Sequence, residues 1–178
     1  METEITSHLQ QLEEYLRLTL STARNLEPVQ FHQQPEAGSW SYCQVMEHIL
    51  QSETGTLGYM LKKSSSGWDT LEDEGEEHES KGKALRERLQ SNEKYKAPAI
   101  LTDPPNTTSV ATFEQEWPAL RERLTAFVHA VEPHHYRKLV FKQPLAGMLT
   151  LPSTTAFLAH HFQHHMPQFE TILQHLRS

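Results

Sequence analysis

Two separated stretches carry side chains able to hold one metal ion: Trp40-Ser41-x-x-Gln44-x-x-x-His48-x-x-x-x-Glu53, and His161-x-x-x-His165-x-x-Gln168. Imidazole is the commonest protein ligand for zinc and also suits nickel, iron and copper. Three imidazoles plus a solvent position make the open coordination of a catalytic site rather than the closed shell of a structural one. On a helix, residues four apart project from one face, so His161 and His165 are spaced to meet one ion from adjacent turns. His48, flanked by apolar positions in a different segment, is the candidate third ligand. Gln168, one turn beyond His165, is placed to orient a ligand or a bound water.

Other readings of these residues compete. His160 and His164 form an equally spaced pair, and helical phase separates the two pairs only weakly, by roughly 100° of rotation. A His-Glu-x-x-His zinc protease needs its general base at position 162, where this chain has Phe162. A di-iron bundle needs paired Glu-x-x-His motifs, and none falls in the last segment. Cys43 reads as a small buried residue rather than a nucleophile, and Trp40 as a core anchor at a helix entrance. Glu53 reads as a solvated carboxylate or surface pair at least as readily as a group turned toward the site.

The elements that must position these residues are helical. Ile5, Leu9, Leu12, Leu16, Leu20 and Ala23 trace one face of a helix over 3–26, closed by Pro28. Residues 29–39 read as a connecting loop. Ser41 and Gln44 have the form of a capping box, predicting a helix from there to about Lys63. The acidic, polar stretch 64–80 predicts an exposed loop and 81–94 a short helix, followed by an extended connection at Pro98, Pro104 and Pro105. Thr112 and Gln115 offer a second capping box for a helix ending near Val131, with Pro118 awkward in its interior. Residues 139–150 read as an ordered loop. The last helix is expected from about Thr150 to Leu176, with Pro152 in its first turn and Pro167 as an expected kink beside His165. Four long amphipathic segments without an alternating strand pattern predict an all-α four-helix bundle, with one long crossover between the second and third helices.

The chain has 178 residues with 37% hydrophobic content, enough for a single domain over 1–178. A formal charge of -7 without clustered Lys and Arg argues against nucleic acid as a partner. The one cysteine leaves no internal disulfide, and no basic or apolar leader and no membrane-length apolar run is visible. The expectation is a cytoplasmic protein acting on a small molecule, away from membranes.

Three motifs in order, the His48 segment, Phe141-Lys142-x-Pro144-x-x-Gly147-x-Leu149-Thr150, and the His161/His165/Gln168 segment, resemble the DinB-like superfamily over roughly residues 35–173. The resemblance implies a four-helix bundle, often homodimeric, with a divalent metal held by His48, His161 and His165. Zinc or nickel is the first expectation for the ion, with iron or manganese also compatible. It further implies a metal-dependent hydrolase, or a transferase or isomerase using a low-molecular-weight thiol such as bacillithiol, mycothiol or glutathione. A metal serves either role, by activating water or by holding a thiolate. No catalytic residue beyond the ligands is assigned. The alternative is a non-catalytic, metal-binding or stress-associated helical protein.

Overall fold

Helix α1 (Glu2–Ala23) places Ile5, Leu9, Leu12, Leu16 and Leu20 on one buried face, and two glutamates in its first turn favour the positive end of the helix dipole. Pro28 does not simply end this helix. It opens a short helix, α2 (Pro28–His32), where its missing amide costs nothing and Glu27 with Gln30 forms a capping box. The loop expected over 29–39 therefore begins with a helical turn, which seats Phe31 in the core. Helix α3 (Tyr42–Ser64) starts at the predicted cap: the Gln44 amide donates to Ser41 Oγ at 3.1 Å, and the Ser41 amide donates to Gln44 Oε1 at 3.0 Å.

The acidic stretch is only partly a loop. Helix α4 (Glu76–Gln90) starts within it, because Glu76, Glu77 and Glu79 fall in a first turn, where negative charge is favoured. Helix α5 (Val110–His129) is capped by Ser109 rather than Thr112; the Thr112 amide is the donor to Ser109 Oγ at 3.1 Å. It continues through Pro118. The expected loop over 139–150 is an antiparallel hairpin of β1 (Leu139–Gln143) and β2 (Gly147–Thr150), pairing Phe141 with Leu149 and Gln143 with Gly147. Gly147 takes a positive φ of 77°, a conformation that strains other residues. Thr150 then caps helix α6 (Leu151–Leu176), with Pro152 in its first turn as expected. The computed structural model describes residues 1–91 and 103–177, so Pro98 and the end of the helix predicted over 81–94 lie outside the described residues.

The four long helices form a four-helix bundle. α1 packs on α5 and α6, and α3 packs on the same two, so α1 and α3 occupy one diagonal. The connection from α3 to α5 is the long crossover, carrying α4 against α6 and β2 on the outside. Trp117, Phe113, Phe162, Leu12, Met46, Ile49 and Leu124 are fully buried in the core. Phe162 stacks on Trp117 with ring centroids 5.5 Å apart, so the residue in the protease base's position serves packing. Burying each such side chain contributes on the order of 1.5–3 kcal/mol before conformational entropy is counted. Among the described residues, no helix is long and apolar enough to cross a membrane.

Candidate metal centre

The bundle brings α3 and α6 together so that three imidazoles converge. Nε2 of His48 lies 3.1 Å from Nε2 of His161, which lies 3.3 Å from Nε2 of His165. The three donor atoms all fall within 4.8 Å of one another, and among the described residues no Asp, Glu or Cys donor joins the set. Metal–nitrogen bonds of about 2.0–2.1 Å separate neighbouring ligand atoms by about 3.3–3.4 Å in a tetrahedron and about 2.8–3.0 Å across an octahedral face. The two measured separations fall within or beside these values, so the donor set fits a divalent ion with three protein ligands. Pro167 lies within α6, yet the turn it interrupts keeps His165 and His161 in register: the expected kink does not part them.

The protonation chemistry suits ligands. Gln168 Oε1 lies 2.9 Å from Nδ1 of His165, which places the proton of the neutral ring on Nδ1 and leaves the Nε2 lone pair facing the other two rings. Burial lowers the pKa of His48 to about 4 and that of His165 to about 3. His161 is lowered as well, first by burial and then by the neighbouring imidazoles. Without a metal the three rings are therefore neutral at physiological pH, the state a metal requires. His160 and His164 stand outside this group; His160 instead meets Gln90, with Nε2 to Nε2 at 3.0 Å.

Aromatic rings hold the imidazoles in place. Trp40 packs against His48 at 5.0 Å between centroids, and its Nε1 donates to Asp103 at 3.1 Å. It is half-buried, packed against the core at the entrance to α3 as expected, and also lies beside the histidine cluster. Phe157 stacks on His161 at 5.5 Å, and Phe141 from the hairpin stacks on Phe157 at 5.9 Å. Spacing gives Phe157 away as the residue one turn before His161, whereas the role of Phe141 depends on the unforeseen hairpin.

Glu53 does not turn toward the histidines, nor is it solvated. It is buried and accepts from Trp117 Nε1 at 2.9 Å, Arg121 Nε at 2.8 Å and Arg121 Nη2 at 2.6 Å. Burial pushes its carboxyl pKa up, against the opposing pull of Arg121 and Trp117. Glu47, not singled out by the motifs, is the other organising carboxylate. It accepts from the amides of Asn106, Thr107 and Thr108 and from the Thr108 hydroxyl, at 2.7–3.0 Å. Burial would raise its pKa, but these donors outweigh burial and lower it. The same strap is tied by Ser41 Oγ donating to Asn106 Oδ1 at 2.6 Å, with Asn106 at a positive φ of 62°. Cys43 is buried, donates to the Thr108 carbonyl at 3.4 Å, and has its thiol pushed by burial up to about 12, far from a thiolate nucleophile.

A helix bundle whose diagonal arrangement leaves α3 and α6 to face one another across three histidines defines a class, and the sequence comparison agrees: the DinB superfamily model matches residues 11–169, and the chain belongs to that superfamily. The chain is 27% identical over 154 residues to the uncharacterized protein YuaE of Bacillus subtilis (strain 168), an alignment covering 86% of this chain and 90% of that protein. YfiT from Bacillus subtilis, described as a probable metal-dependent hydrolase with an unusual four-helix bundle topology, is similar in fold. The likeness has a TM-score of 0.58 at 17% identity and covers 98% of this chain and 88% of that one.

Proposed function

We propose that His48, His161 and His165 hold a divalent metal ion and that the protein is a metal-dependent hydrolase acting on an electrophilic small molecule. The observation that carries this reading is the convergence of three Nε2 atoms at 3.1 and 3.3 Å with no protein carboxylate or thiolate among them in the described residues. Neutral ligands leave the full charge of a divalent ion uncompensated, so the ion when bound supplies strong Lewis acidity toward water or an incoming thiol. His48 and His161 are half-buried, while buried His165 is oriented by Gln168. Trp40 and Phe157 fix the ring planes of His48 and His161 and give the surroundings an apolar character. The description of YfiT as a probable metal-dependent hydrolase supports the same choice.

A low-molecular-weight thiol is the other nucleophile this site would accept, because buried Cys43 supplies none. The test takes protein purified without a histidine tag, measures bound metal, and compares it with the triple variant His48→Ala/His161→Ala/His165→Ala. The expected result is about one equivalent of zinc or nickel at this site in the wild type and its loss in the variant. Unchanged metal content in the variant overturns the assignment. Activated esters and electrophilic probes, assayed with and without added thiols, then separate hydrolysis from thiol transfer. Rates that are equal in metal-loaded wild type and the variant overturn the enzymatic reading.

A further inference from the structure

A second cluster of metal-ligating side chains lies at the other end of α3. Asp69, His134 and His135 bring one donor atom each within 4.8 Å of one another. Ser64, the last residue of α3, lies sixteen positions beyond His48, on the order of 24 Å along the axis, and Asp69 follows it; the two donor groups share no residue. We propose that Asp69, His134 and His135 form a second, surface site for a divalent cation of borderline softness, zinc or copper(II).

The chain builds this cluster from two connections that are tied together. The Leu139 amide donates to the Glu72 carbonyl at 2.8 Å, and the Glu74 amide donates to the Arg137 carbonyl at 2.8 Å. Between them Asp73 and Lys138 form an isolated antiparallel bridge. These bonds hold the segment after α3 against the segment before β1 and set Asp69 opposite His135, with Oδ1 to Nε2 at 3.2 Å. Lys138 is committed to Asp73 at 3.1 Å and to the Leu71 carbonyl at 3.1 Å, while His135 takes the Asp69 carboxylate.

The ring geometry is equally defined. Trp68 stacks on His135 at 5.7 Å with an interplanar angle of 23°, fixing that ring from one side. His134 lies 3.8 Å from His135 between centroids, and Nδ1 of His134 lies 3.4 Å from a carboxylate oxygen of Glu132. Two imidazoles and one carboxylate, with a second carboxylate adjacent, make a donor set of nitrogen and oxygen that zinc and copper(II) favour over magnesium or calcium. His135 is only 13% exposed but Asp69 is 93% exposed, so the ion exchanges with solvent and is held more weakly than at the buried centre.

Equilibrium dialysis of tag-free protein with zinc tests the site. Two classes of binding are expected, and the exposed substitutions Asp69→Asn and His134→Ala together weaken only the looser class, by roughly tenfold or more. The variant lacking the three histidines of the first centre retains the looser class, so failure of the metal-hydrolase reading and failure of this one are separable. Trp68 supplies a second readout: copper(II) added to that triple variant quenches its fluorescence, and Asp69→Asn/His134→Ala shifts the half-point upward by the same factor. Absence of any zinc class in the triple-histidine variant, or a class there unmoved by the paired substitutions, overturns the proposal. Circular dichroism confirms that the variants keep their helices.

Discussion

His48 and Glu53 sit five residues apart on α3, and both point ionisable groups at neighbouring helices, yet their surroundings are built on opposite principles. Glu53 receives three donated hydrogen bonds from Trp117 and Arg121, so each carboxylate oxygen is engaged and the group is locked into the core. The imidazoles face one another nitrogen to nitrogen. With His165 protonated on Nδ1 toward Gln168, its Nε2 brings only a lone pair, and the single proton that His161 Nε2 can carry cannot serve both neighbours at 3.1 and 3.3 Å. The Glu53 carboxylate is paired with a cation, with Arg121 Nη1 alone of that group lacking a partner among the described residues; the imidazole cluster is left short of a positive partner. The difference that separates a structural cluster from a binding site is charge compensation, present at Glu53 and absent among the imidazoles.

The largest expected effect comes from breaking the charge-paired cluster. Glu53→Ala leaves Arg121 charged and buried without its partner, and the expected loss is about 3–5 kcal/mol of stability. Urea unfolding measures it. Replacing both members, Glu53→Met with Arg121→Met, removes the stranded charge and should recover most of that loss. Equal destabilisation by the single and double variants would show that the pair holds the bundle by something other than charge compensation.

The histidine cluster should respond in the opposite way, losing metal rather than fold. Loading the wild type with metal at a hundred times the dissociation constant should add about 2.7 kcal/mol to unfolding, and His48→Ala/His161→Ala/His165→Ala should abolish that increment. The metal-free proteins differ in acid. Unfolded imidazole titrates near ~6.5, whereas in the folded protein His48 titrates at about 4 and His165 at about 3. The unfolded chain thus binds more protons throughout that window, and the metal-free wild type loses stability as pH falls from about 6.5 toward those values. The triple variant lacks these groups, so its stability should decline less over the same range. Coincident acid limbs for the two metal-free proteins, followed by circular dichroism, would refute the burial of neutral rings.

The contrast also explains which parts of the fold were legible from residue order. Ser41 with Gln44, and Thr150 with Pro152, act through bonds inside one turn, so α3 and α6 begin where their local chemistry predicts. The 161/165 spacing places two imidazoles on one face for the same reason. Glu53 was opaque because its donors lie 64 and 68 residues away, and nothing local distinguishes a buried carboxylate from a solvated one. Glu47 is hidden likewise, since its strap enters from 106–108. The hairpin escaped because β1 buries Leu139, Val140, Phe141 and Gln143 and exposes only Lys142, a pattern that does not alternate. In α4 the acidic run that resembles loop composition is the charge a helix N-terminus favours.

The smallest effect, and the sharpest division between the two clusters, belongs to Gln168. Its side chain accepts the Nδ1 proton of His165 at 2.9 Å and so fixes which nitrogen faces the other imidazoles. Gln168→Leu keeps the volume but removes the acceptor, freeing the ring to rotate or to move its proton to Nε2. Metal affinity should fall roughly 10- to 100-fold, while metal-free stability changes little because Gln168 is not fully buried. Gln168→Glu retains an acceptor at the same reach and adds negative charge that raises the basicity of the imidazole, so it should bind metal at least as tightly as the wild type. Competition with a calibrated chelator measures both variants. If Leu and Glu at this position weaken binding equally, the glutamine acts through packing alone and His165 owes its orientation to the helix.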